Sequence, residues 1–240
     1  MILSLVLVAA LAGDVLTDLR GTLNQFAATA PARGVFEVES TSNDSDDPHA
    51  FQGKASVGFE IDDAGLRVIY PKATLLQASQ EGRAEASDPD RQTPVRSGVG
   101  RVHALQLADL LNASSMLTTE LLSAQLIEAK TAAYRGKAAR LVALKLSPKL
   151  SKGESKHVKR IDSTLSVWLG DDGAPMAAER TISVKASFML MSFEHNQTEK
   201  WEYARSGDRL IAVRYEENEK SGGMGQHSAS HVIETVRLQP

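Results

Sequence analysis

The chain has 240 residues, with 27 Lys and Arg against 30 Asp and Glu, a formal net charge of -3. No global field therefore draws it to nucleic acid or to an anionic membrane. It contains no cysteine, which excludes disulfides, thiolate metal sites, a cysteine nucleophile and a lipid-modified amino-terminal cysteine. A chain of this length buries roughly 70–75% of its unfolded surface in one core, and 42% hydrophobic residues is ordinary for a globular domain. Folding needs no metal or staple.

Met1 to Ala12 carries no charge and ends in the small-x-small triplet Ala10-Leu11-Ala12, just before Gly13-Asp14. This reads as an export signal, cleaved to leave residues 13–240 as a single domain in the periplasm or outside the cell. A dozen apolar residues fall short of the roughly 20 that cross a bilayer as a helix, so no stable membrane insertion is expected. The alternative is that Ile2 to Leu11 begins a buried helix that continues through Leu16 and Leu19.

Val15, Leu16, Leu19, Leu23 and Phe26 repeat at three and four residues and predict an amphipathic helix that the stretch from Thr29 to Gly34 ends. Period-two alternation follows in Phe36 and Val38, in Ala55, Val57, Phe59 and Ile61, and in Leu66, Val68 and Tyr70. These are three short antiparallel strands. A polar connection, Ser42 to His49, separates the first two, and Asp62-Asp63-Ala64-Gly65 is a hairpin turn between the next two. Ala73 to Ala86 is helix-compatible, and Ser87 to Gly100 reads as a polar loop. Leu105 to Leu126 carries eight leucines and fits one long helix or two short ones broken near Asn112 to Ser115.

From Glu128 onward the alternation returns. Leu141–Leu146, Ile161–Leu169, Arg180–Ala186, Phe188–Phe193, Glu199–Ala204, Leu210–Tyr215 and Val232–Leu238 each fit a strand, with turn chemistry at Asp171 to Pro175, Ser206 to Asp208 and Ser221 to Gly223. The order is helix, three strands, helical insert, long antiparallel meander. A meander of that length must curl to protect its edges, so its concave side is the natural place for the leucines of the insert. The predicted class is α+β: a curved antiparallel sheet, an incomplete barrel, with an amino-terminal helix and a helical insert on its concave face.

The export signal, the opening helix ending near Phe26, the strand Leu66 to Pro71 and the hairpin Ser166 to Ile182 (SVWLGDDGAPMAAERTI) resemble the periplasmic lipoprotein-carrier superfamily: LolA-like and LolB-like proteins and the amino-terminal domain of RseB-type stress regulators. The resemblance is architectural and covers most of the chain. It implies an incomplete barrel wrapping helices, and a soluble, non-enzymatic carrier that holds acyl chains in its cavity. No binding residue carries over by position.

Among the residues themselves, Phe188, Met189, Leu190, Met191 and Phe193 form a run that is apolar on both faces of a strand. Methionine adapts to varied apolar shapes, so Phe188, Met189, Met191 and Phe193, with Leu110, Leu111 and Leu121 of the insert, are candidate wall residues for a hydrophobic small molecule or acyl chain. The same run is equally read as packing against the insert. Lys149, Lys152, Lys156 and Lys159 lie in a basic run, Lys145 to Arg160, which as a hairpin tip contacts headgroups or a partner, or stands simply as a solvated loop.

No cofactor and no metal site is expected. His227 and His231 on a strand stand about 13 Å apart, and the acids Asp44, Asp46 and Asp47 lack the rest of a calcium loop. Neither a G-x-S-x-G elbow nor H-E-x-x-H occurs. Sequence alone thus points to an exported carrier or binding protein, with an envelope regulator or assembly factor that binds a protein partner as the alternative.

Overall fold

Alternating side chains and short turns fold the chain into ten antiparallel strands of one curved, open sheet. The structure, a computed structural model, describes residues 15–45, 47–148, 150–151, 153–188 and 191–239. In chain order the strands are β1 (Ala32–Asp44), β2 (Asp47–Asp62), β3 (Gly65–Ile69), β4 (Ala124–Tyr134), β5 (Lys137–Leu146), β6 (Val158–Leu169), β7 (Pro175–Phe188), β8 (Met191–Ser206), β9 (Arg209–Gly223) and β10 (Gln226–Leu238). The spatial order is β3-β2-β1-β10-β9-β8-β7-β6-β5-β4. Strands β4 to β10 run as a meander, and β10 closes onto β1, so β3 and β4 are the two edges.

Among the described residues five α-helices accompany the sheet: α1 at residues 15–23, α2 (Lys72–Glu85), α3 (Pro94–Gly100), α4 (Ala104–Leu111) and α5 (Ala113–Leu121). Leu19 and Leu23 of α1, Leu107 and Leu111 of α4, and Leu117 and Leu121 of α5 are all fully buried in one core with Phe36, Phe59, Leu144, Leu165 and Ile211 of the sheet. Each such side chain contributes roughly 1.5–3 kcal/mol by leaving water, so the helices are held by the concave face rather than by local propensity. Arginines from other elements satisfy their last carbonyls. The Arg20 guanidinium donates to Leu121 O at 2.7 Å, and the buried Arg209 donates to Ala30 O and reaches Leu111 O, placing positive charge at the negative ends of α5 and α4.

Several boundaries differ from the sequence reading, each for a local reason. Residues 87–100 are not all loop: Pro94 opens α3, its fixed φ suiting a first helical turn. The connection from Ser42 to His49 is mostly strand, because β1 keeps pairing with β10 as far as Asp44↔Ser228 and β2 begins opposite it at Asp47. The leucine-rich segment breaks at Asn112 into two helices and ends at Leu121, after which β4 begins at Ala124. Phe26 lies past the end of α1, where Asp208 accepts hydrogen bonds from Thr29 N, Thr29 Oγ1 and Ala30 N at 2.6–2.9 Å. Those bonds, led by the Thr29 hydroxyl, hold the Asp208 carboxyl down to about 2. Phe188–Phe193 is no separate strand: Phe188 ends β7 and stands opposite Met191, which opens β8, while residues 189 and 190 lie outside the described ones. Residues 1–12 lie outside the described ones.

Helix α3 lies directly on β2. A Cβ at Gly98 would stand 2.3 Å from the carbonyl carbon and 2.5 Å from the nitrogen of Lys54, so only glycine permits this approach. Gly98→Ala is expected to destabilise the protein by about 1–3 kcal/mol through overpacking. Urea unfolding of variant and wild type checks it, and equal midpoints would contradict the packing described.

Candidate binding site

Inward positions on β7 to β10 are set by register. Arg180 faces Glu199, Glu199 faces Glu217, Trp201 faces Tyr215, and Tyr215 faces Glu234. Directly opposite residues share a face of an antiparallel sheet and stand within side-chain reach, so four strands place a polar row inside the curve. Helix α5 adds Glu120 from above.

The Arg180 guanidinium ion-pairs with both Glu120 and Glu199 and lies 5.8 Å over the Trp201 ring. The Tyr215 hydroxyl stands 3.0 Å from Glu199 Oε1 and 2.7 Å from Glu217 Oε2 and shares its one proton between them. Gln197 Nε2 donates to Glu217 Oε2 at 2.9 Å. The Trp201 and Tyr215 rings are 5.5 Å apart. Burial pulls the Arg180 guanidinium down, but the hydrogen bond and charge of Glu199, with the charge of Glu120, more than offset it and leave it above its ordinary value. Burial first, and then the Glu199 charge, push the Tyr215 hydroxyl far up, so it stays a donor. Burial does the same to Tyr203, whose hydroxyl has no hydrogen-bond partner.

Beside this row lies a pocket of about 280 Å³. Leu110, Met116, Leu117, Leu165 and Trp201 give it an apolar wall; Gln106, Asp109, Glu120, Arg180 and Glu199 give it a polar one. About 13 Å further along the same inward rows, a second concavity of about 310 Å³ opens at the strand tips, with Val184, His195, Phe193, Ser221 and Asp44 on its walls. Both lie over the inward rows of β7 to β10, which floor a trough, the first against α4 and α5 and the second at the far strand ends.

Of the residues singled out in the sequence, Leu110 lines the inner pocket, whereas Leu111 and Leu121 are fully buried core. Phe193 lines the open concavity and Met191 is half-buried beside the hairpin turn. Met189, Lys149 and Lys152 lie outside the described residues. Lys156, on the β5–β6 connection, and Lys159, at the start of β6, are exposed at the sheet end where β7 pairs with β8 near Phe188, since Val158 pairs with Ala186. The structure thus brings Met191, Phe193, Lys156 and Lys159 to one end and the insert leucines to the other. Arg180, Glu199, Glu217 and Glu234 were missed. The signal for them was phase: Glu234 shares the inward parity of Val232 and Val236, and Glu199 that of Trp201.

Comparison with known proteins finds no matching protein family and no matching curated protein.

Glu234 is 2% exposed, and its Oε2 has no hydrogen-bond partner. Burial, followed by the Glu217 charge and only partly opposed by Arg101, raises its carboxyl to about 8. The folded protein therefore holds a proton that the unfolded chain releases near pH 4 to 5, and stability falls as pH rises from there to about 8, by up to about 1.4 kcal/mol per unit. Glu234→Gln keeps the neutral form at every pH. Its stability advantage over wild type should widen between pH 5 and 8 and then level off, as read from urea melts across that range; a constant difference would contradict the buried neutral acid.

Proposed function

We propose that this chain is an exported binding protein, a carrier for a hydrophobic or amphiphilic ligand in the bacterial envelope, in keeping with its resemblance to the lipoprotein-carrier superfamily. The observation that carries the reading is the two-sided inner pocket. An apolar body packs on Leu110, Met116, Leu117 and Trp201, and a polar end meets Arg180, Glu120 and Glu199. With carboxylates in excess over the one guanidinium, the polar end that suits it donates hydrogen bonds: a hydroxyl, an amide or an ammonium.

The volume of about 280 Å³ lies at the lower limit of small-molecule sites, about 300–1,000 Å³. The pocket accordingly takes one end of the ligand, and the rest follows the trough toward Phe193 and the hairpin tip. There Lys156 and Lys159 stand near the exit and meet an anionic group. A second reading, an envelope regulator or assembly factor, draws on the helices that occupy most of the inner face, since a filled sheet suits a protein partner bound from outside.

Native mass spectrometry of protein purified from an envelope fraction separates the two. A bound amphiphile is the expected result. An empty protein that retains a defined polypeptide would overturn the carrier reading in favour of the second. Met116→Trp fills the pocket from α5 and should lower ligand occupancy roughly tenfold without lowering the melting temperature; unchanged occupancy would place the ligand elsewhere.

A further inference from the structure

The two edges of the sheet are unequal. Strand β3 has 5 residues and is followed by Pro71, whereas β4 has 11 and no neighbour beyond it among the described residues. A long edge strand presents a row of unpaired backbone donors and acceptors, which natural sheets shorten, charge or cover. Pairing with β5 puts Glu128 and Lys130 on the outer face, where they form an ion pair at 2.6 Å with both side chains about half exposed. A bulge between Leu126 and Glu128 leaves Ile127 at 57% exposure, and Leu122 just before the strand is more exposed still.

We propose that β4 is an interface strand whose occupant is β4 of a second copy of this chain, paired antiparallel about a two-fold axis through Ala129. In that register Glu128 stands opposite Lys130 of the second copy, and Lys130 opposite its Glu128. Opposite charges directly across a strand pair stabilise it, and like charges destabilise it. The two internal ion pairs, one per chain, are exchanged for two intermolecular ones, with the register fixed by the charges themselves. The bulge lies outside the Glu128–Lys130 stretch, and Ile127 is covered by Thr131 of the other copy. An unrelated strand satisfies the backbone equally well, but β4 of a second copy brings the charges that match its own.

The contact is isologous, as a two-fold dimer requires. Because opposed residues share a face, the concave sides of both copies, with their pockets, lie on the same side of the joined sheet. A strand-pair contact of this length is at the small end of specific interfaces, so the dimer forms in the micromolar range.

Sedimentation velocity of the full chain from about 1 to 300 μM tests it. The wild type is expected to pass from monomer to dimer. Glu128→Lys and Lys130→Glu each set like charges opposite one another twice across the axis, and each should weaken association roughly tenfold or more. An equimolar mixture of those two variants restores every pair and should dimerise as the wild type does, which shows that both remain folded; the double exchange E128K/K130E should do so alone. A wild type that stays monomeric throughout, single variants that associate as wild type does, or a mixture that stays monomeric would overturn the proposal.

Discussion

A curled sheet with one apolar face must have that face covered, and the rest of this structure follows from how the covering is done. The outer face alternates charged side chains in ion pairs such as Lys54–Glu39, Arg237–Glu37 and Lys185–Glu194, and it needs only water. The inner face carries Phe36, Val38, Val57, Phe59, Val142, Leu144, Leu165 and Val167 and cannot stand exposed. Helices α1, α4 and α5 supply the leucines that cover it. Arg20 and Arg209 tie the ends of α5 and α4 down through their final carbonyls.

The cover is shorter than the sheet. Strands β7 to β10 extend 13–16 residues each, well beyond the reach of helices of eight and nine residues. At about 3.3 Å per residue for a strand against 1.5 Å for a helix, part of the inner face is left over. Apolar residues give way to Arg180 and Glu199 at the margin of α5, and beyond it to Glu217, Glu219 and His195. The amphipathic trough is the consequence of that length mismatch. Buried ions are costly unless paired, which is why Arg180 has two carboxylate partners and Tyr215 bridges two more oxygens.

Much of the architecture was legible in the chain. The leucine spacing in Leu19 and Leu23, the period-two runs, and the turns at Asp62 to Gly65, Asp171 to Pro175 and Ser206 to Asp208 each carry local signals that tertiary structure did not override. The illegible parts depended on distant partners. Gly98 of α3 matters only because Lys54 of β2 lies under it, and β1 runs to Asp44 only because β10 is there to pair. The site was harder still. Glu199, Glu217 and Glu234 look like ordinary solvent positions until the register shows them in phase with Trp201, Tyr215 and Val232. The methionine and phenylalanine run was conspicuous by composition, yet its described members Met191 and Phe193 stand at the start of β8, one end of the trough rather than its centre.

Covalent mapping with an alkyl amphiphile that bears a photoreactive diazirine on its chain tests the trough most directly. After irradiation and proteolysis, the account requires adducts on Met116, Leu117 and Trp201, the apolar wall facing Arg180. Adducts confined to the exposed Leu105, Leu122 and Ile127, with none on those three residues, would contradict it and leave the inner pocket as packing space alone.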